Sequence, residues 1–443
     1  MTTLRDRKAP DALLTSAALL VALLPFTSCS SAPRNAEARE HDRLGKAAYA
    51  RKDLEGFFSE AKAALDIEPQ NWRFLVNYAS AASLTGRMKE SARALSVLLD
   101  RSIDVGIAAD PGLAAVRGSK EFEPLKAKMA GLDAVVARNE SRVAFTLPGK
   151  DLLTEGIAFD SGTGDFFVSS VRHRKIVRRA ADGTVSDFVK EGADGLWSVL
   201  ALAVDDRRRI LWACSVALPQ MTGWTKDDEG RSAVFAYDLA TGRHLKTVEA
   251  PPGAKPHVFN DLVLDDAGNV IVADSRDSAI YRLRSGGDSF ETVVAPGTFR
   301  SPQGMAFSAD GTRLYVGDWA RGLFVLDVAS GRVDDVPAPE SAFIFGVDGL
   351  VRHGDSLIVT QNLARPARVS RLRLDGTGRR VTRVDILEMN NPHFNEPTLG
   401  VLAGDSYYYV AKSQWSLFDE ETGAPAFEKL QAPEILELKL GPR

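Results

Sequence analysis

Glu155, Asn260, Gln303 and Asp348 lie far apart in this 443-residue chain, yet each opens a copy of the same phrase. The phrase is an apolar strand, an Asp/Gly turn, a second apolar strand and a polar residue: EGIAFDSGTGDFFVSS, NDLVLDDAGNVIVADS, QGMAFSADGTRLYVGD and DGLVRHGDSLIVTQN. Two more copies begin at Leu200 (LALAVDDRRRILWACS) and Thr398 (TLGVLAGDSYYYVAK). Residues in one structural place can meet, and these four would bring together two carboxylates and two amides. Neither Leu200 nor Thr398 adds a positive charge, and a buried carboxylate without one costs several kcal/mol. A divalent cation is the simplest compensation. Carboxylate and amide oxygens at roughly 2.3–2.6 Å suit Ca²⁺, with its six to eight ligands, better than zinc, which prefers nitrogen and sulfur. A water-filled channel lined by polar residues is the plainer alternative.

The spacing of the copies indicates the scaffold that would bring such residues together. The copies start 45, 60, 43, 45 and 50 residues apart, and runs such as IYRLR and VSRLRLD follow them, so each repeat supplies about four strands. Four strands every ~40–50 residues make a β-propeller blade, and six blades fall within the range of four to eight at which the ring closes. Innermost strands surround a central channel, so the opening residues converge on one axis. The last strand, ILELKL, is expected to pair with RVAFTL (Arg142 to Leu147) and join the two ends of the ring.

The loops before the inner strands share a face with those joining second and third strands. On that mouth, Trp197, Arg276, Trp319, Asn362 and Glu396 are expected to contact a substrate. His257 and His393 are candidate proton carriers, with hydrogen-bonded loop residues as the competing reading. The long blade-two loop, Ser215 to Ala233, reads as a lid or as a surface excursion. Asp261, next to Asn260, is expected to point into its blade or towards the mouth. The chain has no Gly-x-Ser-x-Gly elbow, His-Glu-x-x-His or phosphate-binding Gly-x-x-x-x-Gly-Lys.

From about Ala144 to Leu440 the sequence resembles the senescence marker protein (regucalcin)/gluconolactonase group, relatives of the paraoxonases and strictosidine synthase-like proteins. TEGIAFD, FNDLVLDDAGN, SPQGMAFSADGTRLYVGD and GVDGLV carry the likeness. It implies Glu155, Gln303 and Asp348 as direct ligands of a divalent metal, usually calcium, with Asn260 beside them and Asp348 serving also as general base. Gln303 departs from the pattern, since Pro302-Gln303-Gly304 stands where the group usually has Pro-Asn-Gly. Its extra methylene moves the amide about 1.5 Å outward. The implied activity is Ca²⁺-dependent hydrolysis of a lactone or related ester, a small-molecule substrate. The alternative is a non-catalytic, metal-stabilised binding propeller.

The architecture expected is an all-β six-bladed β-propeller over 142–443, preceded by an α-helical tetratricopeptide-like domain over 35–132. In that region apolar residues recur every three or four positions. Two helical hairpins follow each other about 35 residues apart, with Ala48, Ala61, Ala64, Ala79, Ala82 and Ala92 allowing close helix approach. Such repeats form a groove for a protein partner, or a spacer that holds the propeller off a membrane. Residues 1–29 read as a signal peptide ending in a lipobox-like Phe-Thr-Ser-Cys, which implies lipidation of Cys29 and an exported lipoprotein anchored to a bacterial membrane in the cell envelope. A secreted or periplasmic soluble protein is the alternative; the apolar run from Leu13 to Phe26 is short of the ~20 residues of a spanning helix. Net charge is −4, with no basic block to neutralise phosphates, which excludes nucleic acid as an expected partner. Cys214 is expected as a small strand residue beside Trp212.

Overall fold

The computed structural model describes residues 33–441 apart from 70, 135–138, 254–255 and 340. The signal segment and Cys29 lie outside the described residues. The chain divides into two units: Met1–Val135 with Ala338–Phe343 and Ala364–Pro366, and Val136–Pro337 with Ile344–Leu363 and Ala367–Arg443.

The first unit is helical. Its helices α1 (Pro33–Ala50), α2 (Leu54–Ile67), α3 (Trp72–Leu84) and α4 (Met88–Asp100) pack each on the next, and two short helices, Ala114–Arg117 and Glu123–Gly131, follow. Their ends follow local chemistry. Asp53 caps α2 by accepting the Gly56 N–H, Asn71 caps α3 by accepting that of Arg73, and Gly86, at φ 80°, turns the chain out of α3. All six alanines expected between helices are buried.

The second unit is a six-bladed propeller of four-stranded antiparallel sheets. Blade 1 runs through Ile157–Phe159, Phe166–Ser170, Lys175–Arg179 and Val185–Val189, each strand pairing with the next. Blades 2 to 5 repeat this order from inner strands Ser198–Asp205, Phe259–Leu264, Pro302–Phe307 and Val347–His353. Blade 6 takes Gly400–Ala403, Ser406–Val410 and Glu434–Lys439 from the end of the chain and its outermost strand, Arg142–Thr146, from the start of the unit. The expected closure is therefore present, with Arg142 opposite Glu437 and their side chains ion-paired at 2.6 Å.

Burial explains why the repeats read as apolar runs. A second strand is covered on both faces by the neighbouring blades, so every residue of Phe166–Ser170, Val270–Asp274 and Ser356–Gln361 is buried. The cores lie between blades: Val168 and Val177 of blade 1 pack with Val410 and Ile435 of blade 6, and Ile271 and Ala273 of blade 3 with Met305 and Val316 of blade 4. Cys214 is buried in one such core with Trp212.

Candidate functional site

Four of the six inner strands are interrupted where the repeated phrase begins. Pairing with the second strand slips between Val199 and Leu202, Phe259 and Asp261, Pro302 and Met305, and Val347 and Leu350. The residues within the slips are Leu200, Gln303 and Asp348 with their successors, and Asn260 alone, since Asp261 already pairs with Ala273. A bulge of this kind re-aims a side chain that regular alternation would place on a blade face. In blade 1, where pairing begins only at Ile157, the Ser169 hydroxyl accepts the N–H groups of both Glu155 (3.2 Å) and Gly156 (2.8 Å).

The successor residue sets how closely the blades approach. A Cβ on Gly156 would fall 2.3 Å from the Leu200 carbonyl oxygen, and one on Gly304 would fall 2.5 Å from that of Asp348. A Cβ on Gly349 would lie 2.8 Å from the Thr398 carbonyl oxygen. In each case the glycine lets the next blade's inner strand lie against it. Blade 3 has Asp261 at this place, and its Oδ2 accepts the Met305 N–H at 2.8 Å, on blade 4. The expectation that Asp261 points into its blade or to the mouth is thus corrected: the bulge turns it sideways, as a bridge between blades. At the ring closure, the Thr398 hydroxyl donates to the Glu155 carbonyl oxygen at 2.8 Å.

The four candidate ligands are held by neighbours. Gln303 Nε2 donates to Ser301 Oγ at 3.0 Å, which fixes its Oε1 to face Asn260, and Asn260 Nδ2 donates to that oxygen. Asn260, 8% exposed, is left with an Oδ1 that is buried and accepts no hydrogen bond. The long Gln303 side chain has reached its neighbour, so the unused amide oxygen belongs to Asn260. Asn362 Nδ2 donates to Asp348 Oδ2 at 2.5 Å, and Asn362 Oδ1 accepts the Trp319 indole N–H at 2.9 Å. Glu155 Oε2 accepts the Trp415 indole N–H at 2.6 Å.

Glu155, Asp348 and Asp261 form no ion pair among the described residues. Burial, then the charge of Asp348, hold the Glu155 carboxyl well above the usual range, against the opposing Trp415 hydrogen bond. Burial raises Asp348 to about 6 although the Asn362 hydrogen bond favours its ionised form, and Glu396 adds to the rise. Burial raises Asp261 to about 8. Glu155 and Asp261 keep part of their exposed surface, yet the surrounding protein leaves both carboxyls poorly solvated.

No group of three or more His, Cys, Asp or Glu side chains arranged to hold a metal occurs among the described residues. The donor set here is two carboxylates and two amides. It fits a hard divalent cation: the oxygens match Ca²⁺ chemistry, the buried Asn260 Oδ1 lacks a partner, and the acid pair lacks a positive charge.

Of the other expected residues, Asn362, Trp319 and Glu396 lie by the carboxylates and the rest are engaged elsewhere. His257 is buried against the rings of Phe259 and Tyr281, with Nδ1 2.6 Å from Asp274 Oδ2, and that contact raises its pKa. His393 Nδ1 lies 2.6 Å from Glu434 Oε2. Neither histidine hydrogen-bonds to Glu155 or Asp348. Trp197 is buried, with the Arg231 guanidinium 4.5 Å over its ring. Arg276 is exposed, and Glu396 Oε2 accepts the Ser416 N–H at 2.7 Å. Trp319 and Asn362 are joined in the relay that ends on Asp348. Asp261 is an addition to the site, and Trp415, expected at the mouth in the loop after the second strand of blade 6, is joined to Glu155. The glycines at the matching places of three other copies were the available signal for Asp261.

No family model and no curated protein sequence matches the chain. Its structural neighbours include gluconolactonase- and regucalcin-like six-bladed propellers. A gluconolactonase from Xanthomonas campestris is 17% identical, over 69% of this chain and 92% of that one, with a TM-score of 0.46. A calcium-binding regucalcin from Agrobacterium tumefaciens is 19% identical over 68% and 95%, with a TM-score of 0.48. A virginiamycin B lyase from Staphylococcus aureus is 14% identical over 61% and 82%, with a TM-score of 0.44. A shared fold with such different names does not assign an activity.

Proposed function

We propose that the propeller is a divalent-cation-dependent hydrolase of lactones or related esters, with Ca²⁺ as the cation. One observation carries the reading: Glu155 and Asp348, carboxylates on separate blades, have no basic partner among the described residues, and Oδ1 of Asn260, which opens the matching inner strand of a third blade, is buried without a hydrogen bond. The motif resemblance over the same residues supports it. Glu155, Asp348, Asn260 and Gln303 would hold the cation. When bound, it would offset the two negative charges and stabilise the oxyanion that develops on the ester carbonyl.

Asp348 is the general base. It takes a proton from the attacking water as the new C–O bond forms, and returns it to the ring oxygen as the acyl C–O bond breaks, so that water is consumed and a hydroxy acid released. Asn362, held by Trp319, fixes its position. The test is turnover of a panel of lactones with calcium and with chelator, by wild type and Asp348→Asn. Turnover that stops with chelator and falls at least about 100-fold in the variant is expected; turnover indifferent to both would overturn the proposal.

One observation favours a second reading, a metal-stabilised binding propeller. Glu155, Gln303 and Asp348 each already have an oxygen engaged by a neighbouring donor. In that case the helical unit, as a tetratricopeptide-like groove, would recruit a protein partner. The envelope location and lipid anchor are proposed on the N-terminal sequence alone; Cys29→Ser, expected to free the protein from membranes, is their test.

A further inference from the structure

Two insertions rise from the mouth, each joining the second and third strands of its blade: residues 217–231 in blade 2 and 411–433 in blade 6. They interlock. Gly423 lies so close to Pro219 that a Cβ would fall 1.9 Å from the Pro219 carbonyl oxygen, and Gln220 Nε2 donates to the Asp419 carbonyl at 3.5 Å. Arg172 of blade 1 donates to the Gly423 carbonyl at 3.4 Å, while its own carbonyl accepts the Thr222 N–H at 2.8 Å. Trp415, Phe418 and Leu430 of one insertion pack in the same apolar cluster as Leu218 of the other. These contacts make a fixed roof, not a loose flap.

The roof has one polar extension. Gln414, 1% exposed, closes the base of the blade-6 insertion by exchanging two 2.8 Å hydrogen bonds with Gln431. Its φ of 69° turns the chain into the Trp415–Leu417 helical turn, which Glu396 secures through the Ser416 N–H at 2.7 Å. From this turn the Trp415 indole donates to Glu155 Oε2. Glu155 Oε1 accepts no hydrogen bond among the described residues.

We infer that Trp415 is a positioning residue for Glu155: the interlocked insertions hold its indole rigid, the indole engages Oε2, and Oε1 is the oxygen left for the cation. The inference rests on the cation reading above. It makes the roof part of the site and ties the indole's environment to whatever binds Glu155. A partner that orients a ligand in this way typically contributes 10- to 100-fold to metal affinity.

Calcium titrations of wild type, Trp415→Phe and Glu396→Ala, followed by calorimetry and by tryptophan emission, separate the possibilities. Wild type is expected to bind with an emission change of the same midpoint. Trp415→Phe keeps an aromatic ring but loses the N–H; it is expected to bind roughly 10- to 100-fold more weakly and to lose most of the emission change. Glu396→Ala, which releases the turn while keeping Trp415, is expected to weaken binding in the same direction. Unchanged affinity and an unchanged emission response in Trp415→Phe would overturn the inference and leave the cation site standing. Failure of the wild type to bind calcium would overturn both.

Discussion

Asp261 stands where three other inner strands have glycine, and its carboxyl bridges to Met305 at the cost of being poorly solvated. Burial raises it to about 8, whereas in the unfolded chain it titrates near ~4. Between those values only the unfolded state is ionised, so this residue's contribution to stability is complete below about pH 4 and is lost as pH rises through about 8. Asp261→Asn keeps an oxygen for the Met305 N–H and removes the titration. Melting curves of the calcium-free protein should show wild type losing more stability than the variant between about pH 5 and pH 9, with the variant the more stable at the upper end. Parallel pH profiles would contradict this account. Repetition in the sequence marks the four candidate residues as equivalent positions at the starts of inner strands. The direction of Asp261 was not legible, since it depends on a one-residue slip that strand alternation does not reveal. Nor was the exchange of roles between the amides, in which Gln303 reaches Asn260 and leaves the Asn260 oxygen unused.

At three of the six matching places a glycine leaves out the side chain and lets the next inner strand lie against it. Gly304, next to Gln303, is one such point, with a Cβ placed 2.5 Å from the Asp348 carbonyl oxygen and 2.6 Å from the Leu350 nitrogen. Both are backbone atoms of the next blade, so relief requires the strands to part. Gly304→Ala should cost about 1–3 kcal/mol or more in denaturant unfolding and weaken calcium binding, whereas Gly376→Ala, with open space around it, should change neither. Equal behaviour of the two variants would mean that the inner strands yield more easily than their geometry implies. At this scale the strands were readable from apolar runs and Asp/Gly turns. The long blade-two loop was also visible, as an unusual spacing, but its partner was not. Residues 411–433 follow no repeat, and the interlock depends on close backbone contact at Gly423 and on carbonyl acceptors, which leave no periodic trace in a sequence.

Across the whole molecule, the ring closes by pairing strands from opposite ends of the second unit, as the apolar runs RVAFTL and ILELKL at the two ends of the repeats led one to expect. Closure lets Thr398 of blade 6 hold the backbone of Glu155 in blade 1. The proposed cation site is therefore a property of the assembled ring, with its four candidate residues on four blades, and no single repeat contains it. Calcium should bind to the ring only when both carboxylates are present, and more weakly as pH falls through about 6, where protons compete for Asp348. The most direct test is calorimetric titration of calcium into the purified protein at neutral pH, comparing wild type with Glu155→Ala and Asp348→Ala. A single binding event in wild type that disappears in both variants is predicted; equal calcium affinity in all three proteins would contradict the account.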